Sequence, residues 1–151
     1  MVEYSVYTNI GGREVNEDAV NAIALDCNFG FIVCDGLGGQ GMGDKASKIV
    51  VDCFCDFFKS SEINESFLPK AFDYAQSTLM EEKNKLNIKK QMCTTAVALA
   101  INESTAYVGH IGDSRLYFFE DGKLTYKTLD HSLPQMLALQ SEIKEEDIAH
   151  H

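Results

Sequence analysis

Apolar and polar positions alternate over Glu3 to Thr8, run together through Phe31 to Cys34, and fall at helical spacing in two later stretches. Glu3 to Thr8 therefore reads as a strand. Ala19 to Asp26 and Phe29 to Cys34 read as two more, joined at Cys27-Asn28 in a hairpin that brings Asp18 and Asp35 out at the same end. Asp44 to Lys59 places Ala46, Val50, Cys53, Phe54 and Phe57 along one helical stripe, with Asp44 suited to cap the first turn. Ser66 to Leu86 repeats the pattern through Leu68, Phe72, Ala75, Leu79 and Leu86. Pro69 is tolerated there because it falls in the first turn, and Glu81 to Lys85 reads as a solvated helix end. Thr94 to Ile101, Thr105 to Ile111, Arg115 to Glu120 and Lys123 to Lys127 then form apolar or alternating runs between turn residues, the pattern of an antiparallel meander. Beyond Leu129 the pattern becomes short and helical, with Ser132 and Pro134 placed to start a helix and Ile143 to His151 reading as another.

The run Phe31 to Cys34 leads straight into Asp35 and then into Gly36-Leu37-Gly38-Gly39-Gln40-Gly41-Met42-Gly43. A carboxylate at a strand end is held on a rigid element at the sheet rim, where a hard cation reaches its oxygens. Glycines lack a Cβ, so backbone passes close to a bound metal or phosphate. Asp-Gly is also the commonest hairpin turn signal, and Asp121-Gly122 between two short strands is such a turn within the same chain. The further glycines and the helical pattern that follow Asp35 distinguish it from that control. Upstream, Arg13, Asn16, Glu17 and Asp18 concentrate polar chemistry in one segment. Glu17 and Asp18 cannot face the same way on a strand, so one is free to reach a metal while the other acts through water or holds the loop. Arg13 offers a planar fork to a phosphate. A solvated charged loop accounts for the same residues taken alone, as a short turn does for Asp113-Ser114, and His110 reads as a packed, hydrogen-bonded strand residue.

Composition narrows the partners. The 151 residues are one domain's worth of chain, 45% hydrophobic and 24% charged, which is ordinary for a soluble globular protein. A net charge of -10 with scattered Lys and Arg argues against nucleic acid or an anionic membrane as the main partner. Cys27, Cys34, Cys53, Cys55 and Cys93 show no metal-like spacing and read as small buried hydrophobes in a reducing cytoplasm, with Cys53 and Cys55 pointing to different sides of one helix. Met1 to Thr8 is neither a signal-peptide core nor a transmembrane run.

Four separated segments, in order, carry a resemblance. Arg13-x-x-Asn16-Glu17-Asp18, Asp35-Gly36-Leu37-Gly38-Gly39 continuing to Gly43-Asp44-x-Ala46-Ser47, Thr94-Thr95, and Gly112-Asp113-Ser114-Arg115 with Asp130-His131-Ser132 resemble the metal-dependent protein phosphatases of type 2C, the PPM family, in their bacterial form. The resemblance implies an α/β (α+β) fold, a four-layer sandwich of two antiparallel β-sheets flanked by helices, here C-terminally incomplete. It implies two Mn2+ or Mg2+ ions bridged by Asp35, with the Gly36 carbonyl as a further ligand, Glu17 and Asp18 around the second ion, and Asp113 helping to hold a third. Oxygen donors of this kind suit hard divalent cations. Arg13 would bind the phosphate, and a water between the ions would attack phosphorus directly. Phosphoserine and phosphothreonine proteins are the implied substrates, in a cytoplasmic pathway opposed by a serine/threonine kinase.

Two departures accompany the match. Leu37 stands where some members carry a histidine proposed as general acid, and Gln40 where histidine is also common. The family's later segments, with two more metal-binding aspartates, have no counterpart, so residues 1–151 are expected to be the N-terminal part of one phosphatase domain with reduced or no activity. The alternative is a pseudophosphatase that binds phosphoproteins as a regulatory module.

Overall fold

The computed structural model describes residues 2–37, 42–87 and 92–131. The order is β1 (Asp18–Leu25), β2 (Asn28–Leu37), α1 (Gly43–Ser60), α2 (Phe67–Lys85), β3 (Cys93–Thr94), β4 (Ala96–Ile101), β5 (Ala106–Ile111), β6 (Tyr117–Glu120) and β7 (Lys123–Lys127). It is an α+β fold. A five-stranded antiparallel sheet runs β1-β2-β4-β5 with β3 paired to β2, and β6 and β7 form a separate two-stranded sheet.

Period-two patterning decides which face of β2 meets the helices. Gly30, Ile32, Cys34 and Gly36 are buried, while Val33, Asp35 and Leu37 are exposed on the opposite face. Small residues on the inner face, among them Cys34, Ala96, Ala98 and Ala100, let α1 lie close to the sheet. Helix α1 fills that space with Val50, Val51, Phe54 and Phe58, and α2 adds Phe67, Leu68, Ala71, Ala75 and Leu79. Phe67 is the meeting point: its ring stands edge-on to Phe54 and Phe58, with centroids 6.0 and 5.8 Å away. Burying a side chain of this size contributes about 2–3 kcal/mol.

Several expected elements shift. The hairpin turn falls at Asp26-Cys27 rather than Cys27-Asn28, because Asp26 takes the left-handed conformation (φ 54) that a tight turn needs. Glu3 to Thr8 is not a strand: among the described residues it has no neighbouring ladder, and alternation alone supplies no backbone partner. Asp44 does not cap α1. Met42 holds the N-cap position without a side-chain hydrogen bond, and Asp44 lies inside the first turn, where its charge favours the helix dipole. Leu86 is exposed just past the end of α2.

The meander breaks after β5. β4 and β5 pair in the large sheet and β6 and β7 in the small one, the link between them being the turn at Gly112 (φ 97). Asp121-Gly122 is a hairpin turn, with both residues at positive φ (49 and 75). Cys53 and Cys55 are both buried, one toward Thr78 of α2 and the other toward Asn21 of β1, because α1 is packed on two sides. Cys27 departs from the expectation of a buried thiol, sitting exposed in the hairpin turn. The helix starts expected at Ser132, Pro134 and Ile143 lie outside the described residues. No helix among the described residues is long and apolar enough to cross a membrane.

Candidate functional site

The antiparallel register of the first hairpin sets Asp18 directly opposite Asp35, at the end of the sheet where β2 runs out. Both are exposed on the face away from the helices. The Asp35 carboxyl is pushed above its ordinary range, first by partial burial, then by the charges of Asp18 and Asp113, a hydrogen bond with Asp18, and the charge of Glu17. Three carboxylates from two other chain segments thus act on Asp35.

Backbone contacts hold those segments together. The Glu17 carbonyl accepts the Gly36 N–H (3.1 Å) and the Ser47 hydroxyl (2.6 Å), so the acidic segment is tied to β2 and to the first turns of α1. A Cβ on Gly36 would lie 2.6 Å from that carbonyl and overlap the Gly43 backbone, a closeness that only glycine permits. Glu17 also brings its carboxylate against Gly43. Asn16 orders the approach: its side-chain oxygen accepts the Asp18 N–H (3.1 Å) and its amide donates to Thr8 Oγ1 (2.9 Å).

On the other side of Asp35 lies Thr95, which is buried. Its N–H donates to the Asp35 carbonyl (2.9 Å), and its hydroxyl accepts the Asp35 N–H (3.1 Å). Thr94 Oγ1 donates to the same carbonyl (2.9 Å). The Thr95 and Ser114 hydroxyls are 2.6 Å apart, which joins this strand end to the loop carrying Asp113. Below the loop, Arg115 grips Asp130 through Nε and Nη2 (2.6 and 2.5 Å) and holds its carboxyl below the usual range. His131 donates its N–H to the Gly112 carbonyl (2.9 Å) and stacks on His110, ring centroids 4.3 Å apart. His110 is packed and hydrogen-bonded to the Leu129 carbonyl (2.6 Å), in keeping with its structural reading.

Of the residues singled out in the sequence, Glu17, Asp18, Asp35, Gly36 and Asp113 are brought together. Arg13 is not. It lies in an exposed turn fixed by its own N–H to the Ile10 carbonyl (3.2 Å), and its guanidinium enters none of the side-chain hydrogen bonds or ion pairs among the described residues. Gly38, Gly39 and Gln40 lie outside the described residues. Ser47, Thr95 and Ser114 stood inside the matched segments but carried no assigned chemistry; hydroxyls that bond to backbone across 30 or 60 residues leave no local pattern.

The donor set suits a hard divalent cation in kind, since oxygen donors gathered around the raised Asp35 carboxyl are what a cation relieves. Among the described residues no group of three or more His, Cys, Asp or Glu side chains is placed to hold a metal ion by itself. The Asp18–Asp35 pair is the nucleus, flanked by Asp113 and Glu17.

Antiparallel sheets backed by two helices, with acidic residues gathered at strand ends, define an α+β domain built around a carboxylate site. A family model described as protein phosphatase 2C matches residues 7–132, and the chain belongs to that family. It is 33% identical over 160 aligned positions to a Streptococcus pyogenes protein named for the 2C phosphatase type, covering 99% of this chain and 63% of that one. It is also 33% identical to the serine/threonine phosphatase stp of Listeria monocytogenes, covering 80% of this chain and 50% of the relative. The crystal structure of the serine/threonine phosphatase Stp1 from Staphylococcus aureus superposes with a TM-score of 0.82 at 28% identity, over 93% of this chain and 58% of that one. The catalytic domain of the phosphatase PstP, solved in complex with two manganese ions, superposes with a TM-score of 0.77 at 29% identity, over 91% of this chain and 59% of that one. The chain thus spans between half and two thirds of the length of these relatives.

Proposed function

We propose that this chain contributes the phosphate-binding and part of the metal-binding half of a protein serine/threonine phosphatase, acting on phosphoserine and phosphothreonine with Mn2+ or Mg2+. The observation that carries the reading is the facing pair Asp18 and Asp35, with Asp113 and Glu17 near enough to perturb it. PstP's two manganese ions, in a structure that superposes over most of the chain, support the choice of cofactor.

Asp35 and Asp18 would hold divalent cations at the sheet rim, with Glu17 and Asp113 completing the negative surroundings and the Gly36 carbonyl as a further donor. Cations bound there would lower the pKa of a water and offset charge on the phosphoryl oxygens. The remaining chemistry belongs to the chain. Arg13, at the start of the segment that runs into Asp18, would supply a bidentate fork for the phosphate from its exposed turn. Leu37 carries no titratable proton and takes no part in protonating the leaving alkoxide. The opposing activity is that of a serine/threonine kinase, and the setting is the cytoplasm.

The test is Mn2+-dependent release of phosphate from a phosphothreonine peptide by the complete protein and by its Asp35→Asn variant. Activity that disappears in the variant supports the reading. Equal rates in the two proteins would remove Asp35 from the chemistry.

A further inference from the structure

Thr95 stands between the two parts of the carboxylate site that come from distant stretches of chain. The ladder between β2 and the strands beside it keeps its register throughout, with Val33 opposite Val97 and Gly36 opposite Thr94, so Asp35 faces Thr95. At this one step the Asp35 N–H bonds to the Thr95 hydroxyl, 3.1 Å away. The reciprocal backbone bond, Thr95 N–H to the Asp35 carbonyl, is kept at 2.9 Å. Both main-chain groups of Asp35 are therefore held by one residue.

The same side chain holds both flanks of Asp113. Its hydroxyl lies 2.6 Å from Ser114 Oγ. Its methyl packs where a Cβ on Gly112 would come within 2.8 Å, so the left-handed turn at Gly112 (φ 97) is moulded on Thr95. At 4% exposure Thr95 has too little contact with solvent to substitute for these bonds.

We propose that Thr95 is a positioning residue that fixes Asp35 and the Asp113 loop relative to one another through a single buried hydroxyl. Resting on the divalent-cation reading above, this makes Thr95 a determinant of cation affinity without being a ligand. Partners of this outer kind change metal affinity by about 10–100-fold when lost.

Thr95→Val keeps the shape and the methyl but removes the hydroxyl, and Thr95→Ser keeps the hydroxyl. Two measurements on the full chain separate the claims. In the metal-free protein, amide exchange and 15N–1H spectra should show that Thr95→Val loses protection at the Asp35 N–H and shifts the Asp113 and Ser114 amides, while Thr95→Ser leaves Asp35 protected. In calorimetric Mn2+ titrations Thr95→Val should bind about 10-fold or more weakly, with Thr95→Ser near the parent. Unmoved Asp113 and Ser114 amides in a folded Thr95→Val protein would overturn the coupling whatever the metal does. Should the parent and Asp35→Asn bind Mn2+ equally, the cation reading fails, and with it the affinity claim, whereas the amide result still decides whether Thr95 joins the two segments. A Thr95→Val protein that fails to fold is replaced by Ser114→Ala, which breaks the same link from its other end and must shift the Asp35 and Thr95 amides if the proposal holds.

Discussion

Asp35 sits among like charges without a counter-ion among the described side chains, and that is a cost to the metal-free protein. Asp35→Asn removes one of the repelling groups while keeping the shape. It should raise metal-free stability by about 1 kcal/mol, a gain typical of relieving a functional site. On the proposed cation reading Mn2+ should stabilise the parent against heat and the variant not, so paired melting curves with and without Mn2+ check both halves. Asp130 behaves in the opposite sense. Its folded carboxyl is held below the ordinary value of 3.8 by hydrogen bonds from Arg115, so its contribution is present above that value and is lost as pH falls through the folded one. Asp130→Asn should destabilise by about 1 kcal/mol near neutral pH, a modest figure because water screens the half-exposed guanidinium. The difference in melting temperature between the two proteins should hold near neutral pH and narrow progressively as pH falls below 3.8. The Asp18–Asp35 pair was readable from the chain because a tight hairpin links them. Arg13 carried no comparable cue to its placement, since an exposed turn sets its position and no strand register does.

Helix α1 and helix α2 meet the sheet through one aromatic cluster, and Phe67 occupies its centre. Phe67→Ala should cost about 3–5 kcal/mol, measured by denaturant unfolding, because the rings of Phe54 and Phe58 cannot collapse into the space left. A loss under 1 kcal/mol would mean that the helices are held chiefly by other contacts. Both helices were legible because apolar residues at spacings of three and four persist over four or more turns. The break after β5 was not. Thr105 to Ile111 and Arg115 to Glu120 each alternate convincingly, and nothing within either says that they belong to different sheets. That decision is made by Gly112, Thr95 and His131, which are far apart in sequence and adjacent in space. Glu3 to Thr8 fails for the converse reason, having the pattern of a strand without a neighbour to pair with among the described residues.

Taken whole, the molecule carries a net charge of -10, and part of that charge is concentrated at the sheet end. Raising monovalent salt shortens the screening length from about 30 Å at 0.01 M to about 3 Å at 1 M. Melting temperature in the absence of metal should therefore rise with KCl, and rise less in Asp35→Asn; a fall in the parent would show that attractive pairs outweigh the acidic excess. The two-residue turn at Asp26-Cys27 has a bearing on the order of events as the chain folds. It makes Asp18 and Asp35 neighbours by local closure, and hairpins of this kind form in about 1–10 μs. Asp113, separated from Asp35 by both helices, arrives only after a much larger loop has closed. The repulsion at the site is thus met in two instalments, an early one inside the hairpin and a late one on docking of the Gly112 turn, and a cation present during folding would ease the second barrier as well as the final state.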